Sequence, residues 1–177
     1  EELSVKFGLT FAMIEDVSGF AREQTGLPAG INPWDALPRI LTSMEYLKKE
    51  EVRHRALGRA WDVVVVDEAH AIAMSGTGLN PYNTQRTELG KALRASSRSL
   101  ILLTATPHNG FAHSFRSLIE LVEPTYATFE GTEDDRRRRI EASRIRRLKS
   151  QIRRKIKNGK FEAVFPPRTV TTILPRA

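Results

Sequence analysis

The chain of 177 residues contains no cysteine, which excludes disulfides and thiolate metal sites. No apolar run approaches the roughly 20 residues that a membrane-spanning helix needs, and the acidic start EELSVKFG does not resemble a signal peptide. Hydrophobic residues make up 40% of the chain and charged residues 28%. This balance predicts a soluble globular protein with no membrane segment, and the lack of cysteine is compatible with a cytoplasmic location.

The chain also lacks the pattern G-x-x-x-x-G-K-[ST], whose backbone amides cradle the phosphates of a bound nucleotide. Gly90-Lys91-Ala92 is a partial match, but no Ser or Thr follows the lysine and no glycine lies five residues before Gly90. Gly159-Lys160-Phe161 fails in the same way. Any nucleotide site built from these residues is therefore expected to be incomplete.

The net charge of +7 is unevenly distributed along the chain. Residues 136–160 contain thirteen Lys or Arg and one acid, Glu141, a net charge of +12 that leaves −5 for the remaining residues. Clustered positive charge of this kind predicts a contact with nucleic acid. The alternative is a solvated helix held by a narrow apolar stripe, since runs of charge are often only surface.

Two apolar runs, each followed by polar residues, lie at the centre of the chain. Val63 to Val66 form the first, and Asp67 and Glu68 follow it directly. Leu100 to Leu103 form the second, which continues into Thr104-Ala105-Thr106-Pro107. Four consecutive β-branched residues predict a strand buried on both faces, as in a parallel sheet with helices on each side. Acids at the carboxyl end of such a strand can hold Mg²⁺ on a nucleotide and orient an attacking water.

Other segments give a coarse order of elements. Helix-forming residues and apolar spacing predict helices over 45–57, 87–96, 111–122 and 133–158. The last of these is a long basic helix with a stripe of Ile145, Leu148, Ile152 and Ile156. Strands are expected over 6–14 and 39–44. Loops are expected over 71–85 and, apart from a helical turn near Phe20, over 15–36.

The sequence DEAH after the four valines, with LTATPHNG one strand–helix unit later, resembles motifs II and III of superfamily-two helicases. The form is that of the Swi/Snf-type ATPases, in their RapA-like bacterial branch. Further segments resemble the same group: NPW at 32–34, LTSMEYLK at 41–48, IRRLKS at 145–150 and FPPRTV at 165–170. Without these matches, Asp67 and Glu68 would be ordinary acids at the start of a helix, and Ser43 would be a helix cap.

The resemblance implies an incomplete RecA-like P-loop NTPase lobe over residues 1–130. Residues 131–177 would be a basic helical segment and linker toward a second lobe. ATP and Mg²⁺ would be bound by Asp67 and Glu68, with Asp67 as the metal ligand, and Glu68, Asp67 and His70 would serve catalysis. The residues that couple nucleotide state to DNA in the family correspond to Thr104, Ala105 and Thr106. Its nucleic-acid contacts correspond to Thr42, Ser43, Arg146, Arg147 and Lys149.

The function implied is that of a motor segment in a larger enzyme, which couples ATP hydrolysis to movement on double-stranded DNA. The segment alone is expected to be inactive because it lacks the phosphate-cradling loop. RNA polymerase or a phage-defence complex are the partners considered. Two alternatives stay open: an inactive nucleic-acid-binding or scaffold module that keeps the RecA-like fold, and a strand-separating RNA or DNA helicase. The strand-separating helicase is disfavoured, because helicases of that kind with a DEAH motif typically have the sequence SAT where this chain has Thr104-Ala105-Thr106.

Overall fold

A computed structural model describes residues 2–77, 80–106, 111–145, 153–155 and 161–163 of the chain. It is a mixed α/β structure that divides into two compact units, Glu1–Glu130 and Gly131–Ala177. The described α-helices of the first unit are α1 (Glu2–Phe7), α2 (Val17–Thr25), α3 (Pro33–Ala36), α4 (Met44–Leu47), α5 (Glu50–Ala56), α6 (Gln85–Ala95) and α7 (Ala112–Val122). Two 3₁₀ helices cover Ala69–Ile72 and Pro124–Tyr126.

The strands of the first unit form three small sheets. These strands are β1 (Ala12–Met13), β2 (Ile40–Leu41), β3 (Trp61–Val66), β4 (Ser75–Thr77), β5 (Asn80–Tyr82) and β6 (Ser97–Leu102). β1 pairs with β2 and β3 pairs with β6, both in parallel, whereas β4 and β5 form an antiparallel hairpin. The predicted strand–helix–strand unit of β3, α6 and β6 is thus confirmed, with Val66 paired to Leu102.

The core of the first unit gathers around the 3₁₀ helix that follows β3. Ile72 is fully buried there, and α6 and α7 pack against this helix. Gly90 in α6 allows the close approach, because a Cβ built on it would lie 3.1 Å from Ile72 Cδ1 and 3.2 Å from Leu121 Cδ1. The helices predicted over 87–96 and 111–122 are confirmed as α6 and α7, and Leu89 and Leu118 of their predicted apolar faces are buried.

The prediction that helices cover both faces of the β3–β6 pair is wrong for the described residues. Val64 and Leu100 pack against the core, whereas Val63, Val65 and Ile101 are 54%, 55% and 46% exposed. Successive side chains of a strand point to opposite faces. The helices that the structure describes beside these strands pack on one face only, so the four consecutive valines do not all find apolar neighbours.

The long basic helix predicted over 133–158 is also wrong. In the second unit, α8 (Glu133–Ala142) ends with Ser143 as its C-cap, and β7 (Arg153–Lys155) pairs antiparallel with β8 (Phe161–Ala163). Most helical stability in proteins comes from packing an apolar face. α8 buries none of its residues, and Ile145, the first residue of the proposed apolar stripe, is 91% exposed. Leu148, Ile152 and Ile156 lie outside the described residues.

Capping residues explain the helices found where a loop was expected, over 15–36. The helical turn expected near Phe20 is confirmed and extended as α2, where Asp16 Oδ1 accepts a hydrogen bond from Gly19 N–H. The rest of the expected loop contains α3, where Asn32 Oδ1 accepts a hydrogen bond from Trp34 N–H. The helix predicted over 45–57 is divided into α4 and α5. The strand predicted over 6–14 is reduced to β1, with α1 before it, and that over 39–44 is reduced to β2.

The supposed loop over 71–85 also contains regular structure. The 3₁₀ helix Ala69–Ile72 extends into this range, and the β4–β5 hairpin follows it before α6 begins. Separately, none of the helices in the described ranges combines the length and the apolar character that crossing a membrane would require.

Candidate functional site

The ends of β3 and β6 are joined by two backbone hydrogen bonds, which we call the strand-end bridge. Leu103 N–H donates to Val66 C=O at 2.8 Å, and Ala69 N–H donates to Leu103 C=O at 2.9 Å. Leu103 therefore bonds to the chain on both sides of Asp67 and Glu68. This bonding brings the DEAH residues that follow β3 beside Thr104, which follows β6.

Glu68 has a left-handed backbone at φ 49° and ψ 43°, and it is the one residue other than glycine with positive φ in the described ranges. Its N–H donates to Asp67 Oδ1 at 2.8 Å. Glu68 occupies the N-cap position of the 3₁₀ helix, but its side chain makes no capping hydrogen bond. The carboxylate instead extends outward with a side-chain exposure of 61%. It is therefore accessible to a ligand.

The imidazole of His70 contacts both segments that the strand-end bridge joins. Its Nδ1 lies 3.2 Å from Glu68 Oε2 and 3.4 Å from Thr104 Oγ1. Thr104 Oγ1 also accepts a hydrogen bond from Thr106 N–H at 3.2 Å, across Ala105. A proton on Nδ1 can be donated to either oxygen, since each has lone pairs available. The structure thus brings together three side chains that lie up to 36 residues apart.

The donor set at this edge suits a magnesium ion that arrives on a nucleotide. No cluster of three His, Asp or Glu side chains able to hold a metal occurs in the described ranges. Mg²⁺ on a nucleotide needs only one or two carboxylates, because phosphate oxygens and waters complete its coordination. Asp67 supplies one carboxylate at the end of β3, with Oδ1 already oriented by Glu68 N–H. Asp67 could therefore contribute one carboxylate ligand to a magnesium ion bound to a nucleotide.

The hydroxyls of Thr42 and Ser43 have structural partners at the end of β2. Thr42 Oγ1 donates to Ile14 C=O at 2.6 Å, and Ser43 Oγ accepts a hydrogen bond from Tyr46 N–H at 3.2 Å, which caps α4. The capping role considered for Ser43 is thus observed. The proposed phosphate contact of these residues stays a prediction. Arg146, Arg147 and Lys149, predicted to contact DNA, lie outside the described residues.

An ion-paired carboxylate links α4 to α6. Glu45 in α4 contacts both Lys48 and Arg86, and the Arg86 Nε–Glu45 Oε1 distance is 3.1 Å. Hydrogen bonds from Lys48 and then from Arg86 lower the pKa of Glu45 to about 2. Glu45 therefore stays ionised across the physiological range and can pair with Arg86 at the start of α6.

Sequence reasoning missed a group of buried hydroxyls behind the site. Thr87 is 3% exposed and Ser114 is 1% exposed, and both donate to backbone carbonyls in the segment after the DEAH residues. Ser117 accepts a backbone hydrogen bond from the same segment. The spacing of Ser114 and Ser117 on one turn of an otherwise apolar helix face was the available signal.

No family model matches the chain. Individual relatives do. RNA polymerase-associated protein RapA of Vibrio atlanticus is 28% identical over 141 residues, which cover 75% of this chain and 13% of that protein. RapA of Proteus mirabilis is 28% identical over 124 residues, or 70% of this chain and 12% of the relative. RapA of Photobacterium profundum is 28% identical over 154 residues, or 84% of this chain and 15% of the relative.

The matches thus extend over most of this chain, whereas the chain spans only about an eighth of the length of these relatives. The resemblance found in the DEAH and TATPHNG segments is therefore confirmed as a distant and partial similarity to the RNA polymerase-associated protein RapA.

Proposed function

We propose that this chain forms part of the first RecA-like lobe in a Swi/Snf-type ATPase that couples ATP hydrolysis to movement along double-stranded DNA. The strand-end bridge carries the proposal, because it sets the DEAH acids beside Thr104 at the carboxyl ends of two parallel strands. Ligands of open α/β sheets bind at such edges. Residues 1–130 would belong to the lobe, and residues 131–177 would lead toward a second lobe.

The backbone of Glu68 supports a catalytic role for this residue. A left-handed conformation costs an L-residue about 1–2 kcal/mol, and residues held in such conformations cluster at active sites. Here the conformation turns the chain sharply out of β3, so that Glu68 Oε2 lies 3.2 Å from His70 Nδ1. A conformational cost borne by an exposed carboxylate with no capping bond is easier to explain by chemistry than by stability.

Each residue at the edge has one proposed role. Asp67 holds the magnesium ion that accompanies ATP, and that ion when bound neutralises charge on the phosphate oxygens. Glu68 orients the attacking water and accepts its proton. His70 moves with the Glu68 carboxylate, which its Nδ1 contacts, and so displaces Thr104, its other contact. Thr104 in turn is hydrogen-bonded to Thr106, across Ala105. In this way the state of the nucleotide reaches the segment after β6.

Contacts with DNA phosphates are proposed at two places. The hydroxyls of Thr42 and Ser43 lie at the start of α4, where hydroxyls and backbone amides can bind phosphate without reading bases. Arg146, Arg147 and Lys149 contribute positive charge.

The name of the relatives associates those proteins with RNA polymerase. RNA polymerase is accordingly a candidate partner in the cytoplasm, with a phage-defence complex as the other.

Replacing Glu68 and Asp67 separately tests the proposed chemistry. In the full-length protein, Glu68→Gln keeps size and hydrogen-bonding reach but removes basicity, so DNA-stimulated ATP turnover should fall by about 10²–10⁴-fold. ATP binding should stay nearly unchanged. Asp67→Asn should instead weaken Mg²⁺-dependent nucleotide binding, since it removes the charge of a metal ligand. Steady-state turnover and equilibrium binding of a fluorescent ATP analogue, with and without Mg²⁺, measure both effects.

Glu130→Gln is the matched control, because Glu130 is an exposed carboxylate of the first unit that has no role in the proposal. Its turnover should equal that of the unmodified protein. Parental turnover by Glu68→Gln would contradict the assignment of the DEAH residues and would favour a module that keeps the fold without hydrolysing ATP.

The conformational cost at Glu68 gives a second prediction. Glu68→Asn places a residue that tolerates the left-handed region at this position. We expect the free energy of unfolding to rise by about 1 kcal/mol while ATP turnover is lost. Thermal or denaturant unfolding measures the gain. Glu130→Asn, at negative φ, should give no gain, and a destabilised Glu68→Asn protein would show that the carboxylate serves the fold instead.

The charge proposal predicts a change in the salt dependence of DNA binding. Counterion release contributes about 0.9 to the slope of log K against log salt for each phosphate neutralised. Replacing Arg146, Arg147 and Lys149 by Gln should therefore flatten the slope by up to about 2.7. Titrations of duplex DNA at several salt concentrations measure it. An unchanged slope would favour a purely structural segment.

The matched control for this slope removes the same charge from the first unit. It replaces three basic residues that are each ion-paired there: Lys91 with Glu88, Arg98 with Asp62 and Arg116 with Glu120. Because each of these residues already has a carboxylate partner, we expect this control variant to keep the slope of the unmodified protein.

A further inference from the structure

Three buried or half-buried hydroxyls hold the backbone of the segment that follows the DEAH residues. Thr87 Oγ1 of α6 donates to Ala73 C=O at 3.1 Å. Ser114 Oγ of α7 donates to Met74 C=O at 2.6 Å, and Met74 N–H donates to Ser117 Oγ at 2.8 Å. Both backbone polar groups of Met74 are thus bonded to side chains of a single helix, which we call the Met74 clamp.

Ser117 links the two hydrogen bonds of the Met74 clamp into one network. The Ser117 hydroxyl accepts from Met74 N–H and donates in turn to Ser114 C=O at 2.8 Å. A hydroxyl can act in both ways at once. Ser114 is 1% exposed, and hydrogen bonds in such surroundings are electrostatically stronger than in water. Because every donor and acceptor of this network is satisfied, the segment and α7 are expected to move as one body.

The segment from Ala69 to Met74 is fixed at both ends. The strand-end bridge holds its first residue, and the Met74 clamp holds its last. Ala69 N–H donates to Leu103 C=O, and Met74 is held by α7. His70 lies between these two fixed points. Its Nδ1 contacts Glu68 and Thr104. The placement of the imidazole therefore depends on two anchors, and one of them is on the helix that follows the TATPHNG segment.

We infer that Ser114 and Ser117 are positioning residues that couple the DEAH segment to the helix following the TATPHNG segment. This inference rests on the proposed function and deepens it. A displacement of Glu68 and His70 reaches α7 through the Met74 clamp, in parallel with the direct His70–Thr104 contact. Without the Met74 clamp, the carboxylates of Asp67 and Glu68 stay in place, but their displacement is no longer transmitted to α7 by this route.

Ser117→Ala in the full-length protein tests the coupling. It leaves Met74 N–H without its partner and breaks the closed network. Basal ATP turnover and the KM for ATP should stay within about twofold, whereas the factor by which duplex DNA stimulates turnover should fall by about 2- to 30-fold. Ser117→Thr should restore the factor, because a helical threonine can bond the carbonyl three or four residues earlier.

Ser96→Ala is the matched control. Its hydroxyl is also half-buried and also donates to a carbonyl three residues earlier, that of Leu93, but at the end of α6. The stimulation factor should not change in this control. An unchanged factor in Ser117→Ala, at a temperature where that protein is folded, would overturn the inference and leave the Met74 clamp a purely structural staple.

Hydrogen exchange on the unmodified protein decides the matter if Ser117→Ala does not fold. Segments that open together exchange with one opening free energy. Residues 69–77 and 112–122 should therefore share their protection and lose it together as denaturant is added. Independent loss of protection would overturn the inference. Failure of the proposed function would show differently, as absence of ATP turnover in the unmodified protein, and the exchange experiment does not depend on turnover.

Discussion

The arrangement of the site depends on the parallel register of β3 and β6. The pairing of Val66 with Leu102 brings the two strands to the same edge, and Leu103 then bonds to both sides of the turn through its N–H and its C=O. Side chains alternate between the faces of a strand. A slip of β6 by one residue would turn Leu100 away from the core and would move Thr104 away from His70. Backbone pairing and core packing thus specify the same geometry.

Packing contacts behind the site support the unfavourable backbone conformation of Glu68. Glu68 adopts a left-handed backbone, and the 3₁₀ helix behind it is buried against α6 and α7. Gly90 lets α6 approach Ile72, and the hydroxyls of Ser114 and Ser117 bond to Met74. Rigid elements on the inner side therefore support an exposed carboxylate on the outer side. The exposed Glu68 carboxylate is thus presented to solvent on a packed support.

The sequence predicted the elements whose apolar pattern is long and regular. α6 and α7 were recognisable because their apolar residues repeat at the helix period, and β3 and β6 because each contains a continuous apolar run. The four valines from Val63 to Val66 were misleading, since a continuous apolar run conceals which alternate residues face the core. Helix caps such as Asp16 and Asn32 were present in the sequence but lay among glycines and prolines, which favoured a loop.

Part of the site could also be predicted from the sequence. The proximity of His70 and Thr104 follows from adjacent parallel strands, because their carboxyl ends meet at one edge. The Met74 clamp could not be foreseen in this way. Its partners lie 40 and 43 residues apart, and hydroxyls give no periodic signal. The resemblance to the RapA-like branch identified the acids, and packing alone shows how they are held.

The most direct test of the whole account is steady-state ATP hydrolysis by the purified full-length protein, measured alone and with saturating double-stranded DNA, single-stranded DNA or RNA. We expect low turnover without nucleic acid and the largest stimulation with double-stranded DNA. Turnover that is absent under all conditions, or that does not respond to DNA, would contradict a DNA-dependent motor. Stimulation chiefly by RNA would favour a strand-separating helicase instead.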